Sequence, residues 1–188
     1  MIPVLETPEI RHRAMPVSVK TWHWMQEHDL VSKRAELIRG VIVEKMSKSP
    51  IHTTLVHQLW TSLHTWSAGR YWVRKEDPLT FADSEPEPDI SVVDGSFQDY
   101  TSSHPATARL VVEVSVSSAA ADREMLPAYA AAGVTEVWLV IAGPQQIECY
   151  THPVGESYQN FRLVGVDAEL PSEALPGFVL HAHHLFPA

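Results

Sequence analysis

The chain holds a single cysteine, Cys149, among its 188 residues. That excludes an internal disulfide and a zinc site built from several thiolates. No stretch approaches the run of about 18 apolar residues that a membrane helix needs. The opening residues, MIPVLETPEIRHRAM, lack the apolar core of a secretory signal. A cytoplasmic protein with no membrane partner is therefore expected. Cationic runs are scarce as well: none is longer than two residues, as at Lys33-Arg34, and the formal net charge is −9. A general nucleic-acid coat protein draws most of its affinity from neutralised phosphates, so this balance argues against that class. It does not exclude an enzyme that approaches phosphate through a divalent cation, because a carboxylate site must itself be acidic. Glycine-rich phosphate loops, dinucleotide fingerprints and Ser-His-Asp motifs are also missing.

What is present reads as one ordinary folded unit, since 45% of the residues are hydrophobic and 20% charged. Residues 1–16 form an arm without periodicity, and 17–188 a single domain. Val19, Trp22 and Met25 share one face of a short helix capped by Ser18. Residues 35–47 divide into two strand segments around Gly40. A longer amphipathic helix starts at Pro50, repeats Leu55, Leu59 and Leu63 on one stripe, and stops at Gly69. YWVRKEDPLTF (71–81) supplies strand material, a strand follows at about 89–93, and RLVVEVSVS (109–117) reads as a central strand buried on both faces. The next helix ends at Gly133, and Pro127 places its start near Met125. EVWLVI and QQIECYT form a strand–turn–strand pair, and one more strand lies near Phe161. The pattern is that of an α/β fold with a mixed sheet flanked by helices.

One residue contradicts its surroundings. Glu113 stands inside the most strand-like segment of the chain, where an unpaired ionised carboxylate is too costly to persist. It finds a salt-bridge partner, points outward together with Val111 and Ser115, or meets a cation. Asp89 is a second such acid, fixed by Pro88 at the entry of a strand. Glu36, just before LIRG, is the natural third. Hard divalent cations favour oxygen ligands and often take only one or two protein carboxylates plus water. Glu85 and Glu87 lie on an irregular acidic approach and are expected on the solvated surface.

These residues, with AELIRGVIVEKMSKSPIH, SEPEPDISVV, LVVEVSVSS, DREMLPAYAAAGVTEVWLVI and the closing LPGF, resemble the Uma-two family of restriction-endonuclease-like proteins. That family lies within the PD-(D/E)xK nuclease superfamily, and the resemblance spans about residues 17 to 187. It implies a mixed sheet of four or five strands flanked by helices. It also implies Mg²⁺ or Mn²⁺ at the sheet edge, a nucleic-acid substrate, expected to be DNA, and a homodimer. Carried over, Glu36 matches the family's N-terminal acid, Asp89 the aspartate of the Pro-Asp motif, and Glu113 the glutamate of the (D/E)xK motif.

The third motif departs from the pattern: it reads Glu113-Val114-Ser115, without the lysine. In the family that lysine is commonly displaced to the following helix, where this chain has Met125. A lysine there would orient the attacking water and stabilise charge at phosphorus, and methionine does neither. Arg123 is a fixed cation but no base, and reads equally as an exposed helix-start residue. Ser115, Arg123, Met125 and His52, beside Pro50, are expected to line the site. Two readings stay open. One is a metal-dependent endonuclease impaired at Met125; the other is an inactive nuclease fold serving as a binding or assembly module. His181, His183 and His184 read as adventitious metal binders, and Trp60 and Trp66 as helix residues that pack a subunit interface. Trp138 reads as core, and Cys149 as a small apolar strand residue.

Overall fold

The computed structural model describes residue 9 and residues 13–45, 47–117 and 119–186, so most of the expected arm lies outside the described residues. Six strands form the central sheet in the order β3-β4-β5-β6-β7-β8: β3 Trp72–Lys75, β4 Ile90–Val93, β5 Leu110–Ser115, β6 Glu136–Ile141, β7 Gln146–Val154 and β8 Ser157–Gly165. β5 and β6 are parallel, while the other neighbours are antiparallel. A parallel pair cannot be joined by a tight hairpin. The chain therefore crosses between them through two short helices, α3 Ala119–Arg123 and α4 Leu126–Ala131. These replace the one helix that periodicity suggests. The ring of Pro127 removes an amide and clashes with the preceding turn, so the helix breaks and restarts with Met125 as its N-cap residue.

Around β5 both faces of the sheet are covered, as its nearly continuous apolar run requires. On one face lies α2, Pro50–Ser67, whose Leu55, Val56, Leu59 and Leu63 pack with Val112, Val114 and Trp138. Ser49 caps its start by accepting the His52 amide, and Ala68 closes it in a left-handed conformation. The same cluster includes Leu175, Phe178 and Phe186 from the C-terminal segment around strands β9 Glu169–Pro171 and β10 Val179–His181. Trp66 packs edge-on against Phe178, and Trp138 is in the core. The opposite face carries Val111, Tyr129, Val134, Val137 and Leu139.

A buried carboxylate fastens the C-terminal segment. Glu136, fully buried, accepts hydrogen bonds from Trp138 Nε1 (2.6 Å), Ser172 Oγ (2.7 Å), the Ala174 amide (2.9 Å) and Cys149 Sγ (3.3 Å). Burial, with Glu136 beside it, pushes the Cys149 thiol up to about 12, so it stays protonated.

A separate two-stranded hairpin stands over the sheet edge: β1 Ala35–Ile38 and β2 Val41–Glu44. Helix α1, Val19–Glu27, packs on it through Trp22, Ala35 and Leu37. Arg39 and Gly40 make the turn, both at positive φ (48° and 76°), the pattern of a two-residue type I′ hairpin. A Cβ added at Gly40 would collide with the ring of Pro16. Gly40→Ala is therefore expected to destabilise the protein by more than about 1 kcal/mol. The thermal midpoint would drop by about 2–4 °C per kcal/mol, and an unchanged melt would show that Pro16 yields freely.

Candidate active site

The hairpin, the start of α2 and the ends of β4 and β5 enclose a cleft of about 680 Å³. Among the described residues its lining holds eight carboxylates against two lysines. Asp89 precedes β4, between Pro88 and Ile90, and Glu113 lies within β5. The two strands hold each other's acids. The Asp89 amide donates to Glu113 Oε2 (3.2 Å), and the Val114 amide donates to Asp89 Oδ2 (2.8 Å). Each carboxylate takes up a backbone donor of the neighbouring strand just beyond the Ile90–Val112 pair where the β4–β5 ladder ends. The third acid, Glu36 on β1, lines the same cleft and accepts the Glu87 amide at 2.9 Å. Glu36 makes no hydrogen bond to Asp89 or Glu113.

Two further groups fix this arrangement. Tyr129 of α4, fully buried, donates its hydroxyl to Glu113 Oε1 at 2.5 Å. His52 in the first turn of α2 sets Nε2 at 3.0 Å from Asp89 Oδ2. Its buried Nδ1 meets no partner among the described residues. A carboxylate accepts, so Nε2 is the donor in this contact.

Electrostatics mark the cleft as short of positive charge. Burial lifts Glu36 above the usual carboxylate range, with the Glu87 amide and Lys45 opposing and Glu87 and Asp89 reinforcing. Glu113 is held well above that range, first by burial and then by Asp89; the Tyr129 hydrogen bond opposes, and Glu36 and Asp122 add to the rise. Burial and the same acids push the Tyr129 hydroxyl far up, so it remains a donor. Among the described residues no three His, Cys, Asp or Glu side chains are already drawn together as a ligand group. The donor set nevertheless fits a hard divalent cation: all-oxygen and acidic, with carboxylates raised first by burial and then by a mutual repulsion that a cation would relieve.

The other expected site residues divide. Met125 lines the cleft, as does His52. Arg123 does not: its guanidinium forms a two-pronged pair with Glu148 of β7 (2.6 and 2.9 Å), and Tyr150 donates to the same carboxylate. Ser115 is fully buried, and the wall runs through Val114, Val116 and Ser117 instead. Glu85 and Glu87 are not solvated surface. Glu85 is buried and takes hydrogen bonds from Trp22 Nε1 (2.9 Å) and Thr80 (2.6 Å), with His23 at 2.6 Å. Glu87 lines the cleft and pairs with Lys45. Two lysines escaped the sequence reading. Lys45 lies 3.9 Å from Glu36, and Lys48 reaches Glu76 at 3.0 Å and Asp89 Oδ1 at 3.8 Å. The signal was their position in KMSKSPIH, within seven residues of His52.

A family model described as "Putative restriction endonuclease", named Uma2, matches residues 24–183. The chain belongs to the Uma2 family. Among solved structures, a protein from Anabaena variabilis described as a "putative nuclease belonging to DUF820" shares the fold. It matches with a TM-score of 0.70 at 18% identity, over 86% of this chain and 96% of its own. No curated protein matches. The Uma2 match extends from α1 to the C-terminal turn and so takes in Glu36, His52, Asp89 and Glu113.

The raised affinity of Glu113 for protons has a sign that can be checked. A group whose folded pKa lies above its unfolded value supports the fold at low pH and withdraws that support as pH rises through the folded value. Metal-free wild type should therefore lose stability from the ordinary carboxylate range upward. Glu113→Gln should escape that loss and melt higher near neutrality, by about 2–4 °C per kcal/mol relieved. Melts in EDTA across pH decide this; superimposable curves would mean that Glu113 carries no electrostatic strain.

Proposed function

We propose that this Uma2 protein is a divalent-metal-dependent endonuclease that hydrolyses phosphodiester bonds in nucleic acid, with DNA as substrate. Family membership supports the nuclease class, and the observation that carries the reading is the Asp89–Glu113 pair facing Glu36 across one cleft. Asp89, Glu113 and Glu36 would hold Mg²⁺ or Mn²⁺. When bound, such an ion supplies Lewis acidity toward a phosphoryl oxygen and toward water. The chain's own residues do the positioning. Tyr129 holds one oxygen of Glu113, so the other side of that carboxylate presents to the cleft. His52 and the Val114 amide fix the rotamer of Asp89. Met125 contributes neither charge nor proton where the family pattern has lysine.

A homodimer in the cytoplasm belongs to the same proposal. β8 is an edge strand of the sheet and exposes Val154 beside it, with Phe161 and Leu163 along its length. No described helix is long and apolar enough to cross a membrane. The competing reading, a nuclease fold kept as a binding or assembly module, rests on Met125.

Calorimetric titration with Mn²⁺ separates them without any choice of substrate. Saturable binding is expected in wild type, weaker toward about pH 6 than about pH 8 because the cation must displace protons from Glu36 and Glu113. Glu113→Gln should lose it. Absence of binding at millimolar Mn²⁺ would favour the non-catalytic module. In a plasmid-nicking assay, Asp89→Ala should abolish Mn²⁺-dependent cleavage and Met125→Lys should raise it by about tenfold or more. Cleavage absent from both wild type and Met125→Lys would sink the enzymatic reading.

A further inference from the structure

Resting on that nuclease reading, a second question is how a polyanion approaches a cleft with so many carboxylates. The metal-binding acids would be neutralised by their cation, but phosphates flanking the scissile one need positive charge of their own. Of the two lysines in the lining, Lys45 is committed. It pairs with Glu87 and lies 3.9 Å from Glu36, with its side chain 23% exposed. Lys48 differs. It leaves the chain immediately before Ser49, the N-cap of α2, and spans the cleft mouth to Glu76 at 3.0 Å. Both members of that pair are partly exposed, 38% and 39%. An exposed ion pair of this kind is weak and exchanges readily for another anion. Its ammonium also lies 3.8 Å from Asp89 Oδ1. A divalent cation held by Asp89 would replace that attraction with repulsion and leave the ammonium free for another anion.

We propose that Lys48 is the phosphate contact of the cleft: it exchanges Glu76 for a backbone phosphate of the bound nucleic acid. Glu76 is then its resting partner, and acts as a brake on binding.

The test is binding rather than turnover. The full chain is titrated, in calcium and across a sodium chloride series, against a fluorescently labelled DNA duplex followed by anisotropy. Lys48→Ala is expected to weaken binding at low salt and to flatten the plot of log affinity against log salt by about one unit of slope. Lys48→Arg should keep the wild-type slope, and Glu76→Gln should bind more tightly than wild type. Lys20→Ala, an exposed lysine on α1, controls for net charge and should leave the slope unchanged. Melting midpoints of all variants check that the fold is intact. A Lys48→Ala slope equal to wild type, or a loss matched by Lys20→Ala, overturns the assignment while leaving the nuclease reading in place. Failure of wild type to bind the duplex at any salt overturns the nuclease reading and this assignment with it.

Discussion

The exchange of backbone donors between Asp89 and Glu113 is the contact on which the rest of the cleft depends. A strand pair normally ends where its ladder runs out of amides and carbonyls to match. Here the ladder is continued by side chains, the Val114 amide passing to Asp89 and the Asp89 amide to Glu113. Two like charges are thereby held side by side in a partly dry place. Burial lifts Glu113, and the neighbouring charge lifts it further. Repulsion is tolerated because each carboxylate is satisfied by a donor that cannot leave without unpairing β4 from β5. The acids are thus as rigid as the sheet itself, which is what a preorganised metal site requires.

Around this pair the fold supplies supports from three directions. α2 brings His52 to Asp89, α4 brings Tyr129 to Glu113, and β1 brings Glu36 to the far wall. The third support depends on packing far from the cleft. Glu85 is bridged to Leu37 in β1 and bound by Trp22 of α1, so the hairpin carrying Glu36 is fastened by a buried acid two residues before Glu87. Docking α1 and positioning Glu36 are one structural event.

Much of this was legible in the residues. Pro88 before Asp89 marked a strand entry, and VVEVS a strand carrying one acid, so β4 and β5 and the positions of their carboxylates could be read directly. Pro127 marked the start of α4 near Met125, but nothing in the residues announced the separate helix α3 before it. What escaped was non-local. SEPEPD reads as solvated loop because nothing within it announces that Trp22, over sixty positions earlier, will cover Glu85. Arg123 sits one residue after Asp122, yet its partner Glu148 lies two strands away, and the turn between α3 and α4 aims it outward. The missing cation was sought downstream of Glu113, where the family pattern has it. The lysine that reaches Asp89 instead comes from the connector before α2, about forty residues upstream of that aspartate.

The four-donor seat of Glu136 has a consequence for how the molecule comes apart. Two of its donors, Ser172 Oγ and the Ala174 amide, come from the C-terminal segment, and the others from β6 and β7. Peeling that segment away would strip half the hydrogen bonds from a carboxylate at the head of β6 and uncover Leu175 and Phe178 at once. Such a segment does not fray like an ordinary terminus. It is expected to open and close with the central strands, as part of one cooperative unit.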